Sequence, residues 1–189
     1  HYSWAGHDVH FVQLNVVAGN TPHPAKPEIN PMLALSFLEN DLANHVGDSG
    51  RPVVLIQHYG FETFSAPDWW TADHVGDLWD ALDGYNVVLI LNGHIHYRPG
   101  ASALQRKTTF DWDGSGGRPG IPTFNVGASR YGAWTEIAMN SANKIRAVVK
   151  DHHTAEPHPA YSSYTPPNYP GPASANDGYR WSARSGGGT

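Results

Sequence analysis

The sequence predicts an α/β fold, and three observations carry the prediction. Segments 9–17 (VHFVQLNVV), 52–57 (PVVLIQ) and 86–91 (NVVLIL) are nearly unbroken apolar runs rich in β-branched residues, the pattern of strands covered on both faces of a sheet. Between them lie two stretches with apolar residues at helical spacing. Strand, helix and strand over 52–91 then form one βαβ unit, for which a right-handed crossover is expected.

The first strand, 9–17, closes at Ala18-Gly19-Asn20. Residues 20–31 hold Pro22, Pro24, Pro27 and Pro31 and read as an irregular loop. Asn30 followed by Pro31 predicts a helix start, with Asn as cap and Pro in the first turn. That helix runs to about Val46, with Met32, Leu35, Leu38, Leu42 and Val46 as its apolar stripe and Gly47 as its stop. After strand 52–57 and a loop containing Trp69-Trp70, Thr71 caps a second helix over 72–83, whose apolar face is Val75, Leu78, Trp79 and Leu82. Asp83-Gly84 ends it. Beyond strand 86–91 the sequence predicts a Gly-rich loop over 111–120 and shorter strands near 121–126, 132–139 and 144–150. The last two read as a hairpin around residues 140–143. Residues 1–150 make the folded body. In residues 151–189, Pro, Gly and Ser supply 16 of 39 positions, and Ile, Leu, Val, Met and Phe are absent. This segment reads as a disordered tail, because it offers too little apolar surface to offset the entropy of ordering it.

Length and composition narrow the function classes. A chain of 189 residues, 40% hydrophobic, suffices for one domain with a real core. A net charge of −5 with only 15% charged residues offers no broad attraction for nucleic acid or an anionic membrane. No apolar run approaches the roughly 18 residues a membrane span needs. The absence of Cys excludes disulfides and thiolate metal sites. Twelve histidines leave His, with Asp, Glu or Asn, as the donor set for a transition metal. The chain begins at His1, not Met, and shows no basic, apolar leader, so it is expected to be processed or to be part of something longer.

The chemistry concentrates at two strand ends. His58 directly follows strand 52–57, and Gly93-His94-Ile95-His96 follows strand 86–91. Parallel strands put their carboxyl ends on one edge of the sheet, where ligands of open α/β sheets bind. Topology therefore brings three imidazoles together, and Gly93 is expected to permit the turn that presents two of them. Neutral imidazole suits Zn, Mn, Fe, Ni and Cu.

These residues resemble two motifs of the calcineurin-like metallophosphoesterase family. Gln57-His58-Tyr59 resembles its lone strand-end His, and Gly93-His94-Ile95-His96 its Gly-His-X-His motif. The segment Tyr2-Ser3-Trp4 followed by 9–15 resembles the strand after the family's third motif, and Thr123-Phe124-Asn125-Val126-Gly127 a later strand whose end faces the site. The resemblance covers about residues 1–150 and implies the carboxyl-terminal half of a two-sheet αββα sandwich, with the amino-terminal half missing. It implies a binuclear centre of Mn, Fe, Zn or Ni, in which His58 and His94 ligate one ion and His96 the other. In such enzymes the ion pair polarises a phosphate and acidifies a bound water, which attacks phosphorus in line. The implied substrate is a small phosphoester or a phosphoprotein, contacted by Tyr59, Tyr97, Arg98 and Asn125.

The family's first three motifs have no match. Asp8-Val9-His10 has the letters of the first but lies at the entry to the wrong strand, and Gly47-Asp48 lacks the second Asp of the next. No residue of this chain is therefore assigned a catalytic proton, and the isolated chain is expected to be inactive while the parent protein is a phosphoester hydrolase. Two alternatives stand beside this reading: a non-catalytic, His-rich metal-binding or interaction module, and another His-ligated metal hydrolase acting on amides or lactones. His10 reads as a packed, hydrogen-bonded residue. Trp69, Trp70, Tyr97 and Tyr131 are candidates to line a substrate cleft, and Arg98 and Arg130 to contact phosphate. Asp111-Trp112-Asp113-Gly114 begins like a calcium loop but lacks the closing Glu. His152, His153 and His158 are expected to be solvated. The aromatic, Pro-rich, Cys-free texture points towards an exported, secreted or periplasmic protein.

Overall fold

A computed structural model describes residues 1–61, 66–95, 107–111, 120–126, 133–139 and 145–151. The chain is an α/β protein built on a mixed sheet with few helices. In order it forms β1 (Tyr2–Gly6), β2 (Val9–Gln13), α1 (Ala34–His45), a 3-10 turn (Gly47–Ser49), β3 (Val53–Ile56), the short α2 (Ala66–Trp69), α3 (Ala72–Ala81), β4 (Val87–Asn92), β5 (Lys107–Phe110), β6 (Ile121–Asn125), β7 (Ala133–Met139) and β8 (Ile145–Asp151). Six strands make one sheet in the order β1-β2-β3-β4-β6-β5, and β7 and β8 make a separate antiparallel pair.

The four inner strands β2, β3, β4 and β6 are parallel, and β1 and β5 close the two edges antiparallel. Parallel strands need a crossover, and α1 and α3 supply it for β2–β3 and β3–β4. The βαβ unit expected over 52–91 is therefore present. The core explains the unbroken apolar runs: Val53, Leu55, Val87 and Ile90 pack in one cluster with Leu38 and Leu42 of α1 and Leu78 and Trp79 of α3, and Val54, Val88 and Leu89 are buried as well. The expected hairpin of the last two strands is also present, running from Ala133↔Asp151 to Met139↔Ile145.

Several boundaries differ from the sequence reading, each for a local reason. Strand 9–17 stops at Gln13, after which the chain turns into the loop that feeds α1. Tyr2–Gly6 forms an additional strand, turned back on β2 through His7-Asp8 with His7 at φ 51. The first helix starts at Ala34 rather than Pro31, because Met32 and Leu33 adopt left-handed backbone (φ 53 and 63). Asn30 caps this turn and not the helix: its Oδ1 accepts the Met32 N–H at 2.9 Å. Met32 is accordingly 66% exposed and does not belong to the apolar stripe. Gly47 does end the helix, at φ 48. Thr71 caps α3 as expected, its hydroxyl accepting the His74 N–H at 3.0 Å. Trp69 lies in α2 and not in a loop, and β5 arises where no strand was expected. A sandwich is not established by this sheet. Most of the Gly-rich loop and all but the first residue of 151–189 lie outside the described residues.

A buried histidine fastens α3 to the loop between β2 and α1. His74 is 4% exposed, and its ring fills the space beside Gly19, where a Cβ would stand 2.8 Å from the imidazole. Burial lowers its pKa below the ordinary value, as does the neighbouring His23, while a hydrogen bond to the Thr21 backbone and the charges of Asp77 and Asp73 act in the opposite sense. In the unfolded chain the same imidazole titrates near pH 6.5, as unperturbed His does. The folded state thus takes up this proton later than the unfolded state as pH falls. His74 contributes its full stability above about pH 6.5, and that contribution is lost as pH drops through and below this value. Urea midpoints measured at about pH 7.5 and about pH 5.5 should fall for the native protein and fall less for His74→Gln. Equal losses in both proteins would contradict the role assigned to His74.

Candidate metal centre

The carboxyl ends of the parallel strands are knit together beyond the strands themselves. Leu14 N–H bonds the Ile56 carbonyl at 2.8 Å, Gln57 N–H that of Leu91 at 2.9 Å, Tyr59 N–H that of Val16 at 3.0 Å, and Val126 N–H that of Asn92 at 2.9 Å. These ends line an open cleft of about 600 Å³ whose walls include Asn15, Val16, Gln57, His58, Gly93 and Val126. Gln57 is buried in its wall; its amide donates to the Tyr59 carbonyl at 2.9 Å, and its Oε1 has no donor among the described residues.

His58 and His94 come together here as the strand order demands. Their ring centroids are 5.3 Å apart and their planes cross at 73°. His94 occupies a strained backbone position. Its φ is 64, and the Ile95 N–H bonds the Gly93 carbonyl across it at 2.8 Å, closing a three-residue γ-turn of the rare left-handed kind. Gly93, expected to supply the backbone freedom, does not take a positive φ; the strain falls on the histidine. The turn is pinned from below. The Gly93 carbonyl also accepts the Asn125 side-chain amide at 2.6 Å and that of Asn92 at 3.4 Å, while the Gly93 N–H bonds the His58 carbonyl at 3.0 Å. Strain of this type persists only where surrounding contacts over-determine it, and it concentrates at functional sites.

Aromatic rings surround the pair. Tyr59 stands edge-on to His58 at 4.8 Å and to His94 at 4.6 Å. Trp69 stacks flat on Tyr59 at 4.8 Å and meets His94 edge-on at 4.8 Å. Lys26 reaches over the Trp69 ring, with Nζ 4.2 Å from its centroid. Burial raises the Tyr59 pKa, and the charge of Glu28 adds to the effect, so Tyr59 remains a neutral phenol.

Two imidazoles that share one tetrahedral ion, each nitrogen about 2.1 Å from it, have centroids about 5 Å apart. The His58–His94 spacing fits two corners of such an ion. Among the described residues no group of three or more His, Asp or Glu gathers as a metal-binding set. His96, Tyr97, Arg98, Arg130 and Tyr131 lie outside the described residues. No family model matches the chain. No curated protein matches it either.

The remaining sequence candidates divide clearly. Asn125 is buried and spends an amide hydrogen on the Gly93 carbonyl. Trp70, a candidate for the cleft wall, is instead 4% exposed and packs on Phe61, its indole N–H donating to the Gly60 carbonyl at 3.1 Å. His10 is packed and hydrogen-bonded as expected, its Nε2 lying 2.5 Å from Asp41 Oδ2. Asp111 is exposed, and the rest of the calcium-like segment lies outside the described residues. Sequence reasoning missed Asn92 and Lys26. Asn92 had a signal, an amide at a strand end immediately before Gly-His. Lys26 had none, because it approaches from a loop distant in sequence.

Proposed function

We propose that this chain carries the histidine ligands of a metal-dependent phosphoester hydrolase resembling the calcineurin-like family. His58 and His94 hold one ion, and His96 contributes to a second. The observation that supports it is the pairing of His58 and His94 at adjacent parallel strand ends, 5.3 Å apart, with His94 held in a strained turn. When bound, divalent cations supply electrophilic assistance to a phosphoryl oxygen and acidify water. The chain's own part is positional. Asn92 and Asn125 hold the Gly93 carbonyl and with it the His94 turn. The Tyr59 phenol, kept protonated, is placed to donate a hydrogen bond to an anionic substrate. On this reading the acidic ligands come from sequence outside the 189 residues, in the missing half of an αββα sandwich.

Zinc and manganese titrations of the 189-residue chain test the ligand assignment. His94→Ala should weaken binding about a hundredfold or more, equivalent to about 2.7 kcal/mol. Binding unchanged by the substitution would refute it. Protein extended at its amino terminus should hydrolyse p-nitrophenyl phosphate or its bis ester with added Mn, and lose that turnover in His94→Ala.

A further inference from the structure

We infer that Trp69, stacked on Tyr59 and overlaid by Lys26, is a positioning residue that holds the His94 imidazole in its metal-binding orientation. The inference rests on the reading of His94 as a ligand. Among the described residues, rings that meet the His94 imidazole are Tyr59 at 4.6 Å and 70°, Trp69 at 4.8 Å and 72°, and His58 at 5.3 Å and 73°. All three meet it near the perpendicular, the arrangement favoured between aromatic groups. A ring flanked in this way has less rotational freedom, so a ligand pays less to immobilise it.

The support reaches back through two separate parts of the chain. Trp69 and Tyr59 are stacked with an interplanar angle of 2°. Lys26, from the loop between β2 and α1, lies over the indole and donates to the Asp68 carbonyl at 2.7 Å, with Asp68 Oδ1 3.6 Å away. A cation over an indole face is attracted by the ring quadrupole. The β2–α1 loop and α2 thereby act on His94 through Tyr59 and Trp69. His94 needs such support, because its left-handed backbone lies in a region that residues bearing a Cβ rarely occupy.

The test compares native protein, Trp69→Leu and Trp69→Phe by zinc titration, with urea unfolding as a control for folding. Loss of an outer support of a ligand weakens metal binding about tenfold to a hundredfold. Trp69→Leu should show a loss of that size, and Trp69→Phe, which keeps an aromatic face, should recover most of it. A purely structural role would lower the urea midpoint and leave zinc affinity unchanged; that result overturns the proposal. If His94→Ala binds zinc as tightly as the native chain, the ligand reading fails, and the metal-free proteins then decide. A single His94 χ1 rotamer by NMR coupling constants in native protein and Trp69→Phe, averaged in Trp69→Leu, supports the positioning role. One unchanged rotamer in all three overturns it.

Discussion

Replacing His10 with alanine is expected to destabilise the fold by about 1–3 kcal/mol, the usual cost of leaving a buried polar group without its hydrogen-bond partner. Asp41 projects from α1 onto the sheet and is 6% exposed. One carboxylate oxygen accepts from Ser3 Oγ on β1, and the other lies 2.5 Å from His10 Nε2 on β2. His45, one turn further along α1, approaches only to 3.9 Å and is largely exposed. Without His10 the Asp41 carboxyl stays buried, with Ser3 as its close partner among the described residues. A second substitution separates this account from simple loss of packing. Asp41→Asn in the His10→Ala background turns the stranded acceptor into an amide and should restore about 1–2 kcal/mol. Urea unfolding of the four proteins of this cycle measures the coupling, and additive losses would contradict it.

Trp79→Ala is expected to cost about 3–5 kcal/mol, as large-to-small changes of buried aromatics do. That is a large share of the roughly 5–15 kcal/mol that keeps a typical domain folded. Trp79 is 1% exposed on the inner face of α3 and meets Phe110 of β5 edge-on at 5.2 Å. Phe110 in turn stacks on Phe61 at 4.2 Å, and Phe61 packs on Trp70 at 4.7 Å. This chain of rings ties the β5 edge of the sheet to the helical layer. Among the described residues β5 pairs with β6 alone, and β6 carries Asn125 beneath the His94 turn. The cavity left by Trp79 therefore loosens a strand that supports the candidate site. Thermal unfolding and zinc affinity should both fall in Trp79→Ala and fall much less in Trp79→Phe. A stability unchanged within about 0.5 kcal/mol, the range of ordinary surface substitutions, would contradict the packing account.

The inner strands were legible because burial on both faces demands apolar side chains at nearly every position, as in 53–56 and 87–91. Helix α3 was legible because Thr71 and the residues Val75, Leu78 and Trp79 report capping and one buried face together. Strand β1 was not legible. It lies at an edge, where Tyr2 and Trp4 remain 60% and 40% exposed, and its existence depends on pairing with β2 rather than on its own pattern. The start of α1 was misplaced because Asn30-Pro31 serves an Asx turn as well as it serves a helix cap, and the left-handed Met32 and Leu33 leave no trace in residue type.

At the site, the sequence by itself determined that His58 and His94 would share one sheet edge. Consecutive apolar strands joined by a helix run parallel, and parallel strands end on the same side. Only the tertiary structure decided how the pair is held. The backbone strain sits on His94 and not on Gly93, the Gly93 carbonyl is gripped by Asn92 and Asn125, and Trp69 and Lys26 arrive from distant segments to enclose the ring. Strand order follows from short-range pattern and chain connectivity, both written along the sequence. A side chain's orientation follows from contacts among residues far apart in the chain, and those exist only once the sheet has brought them together.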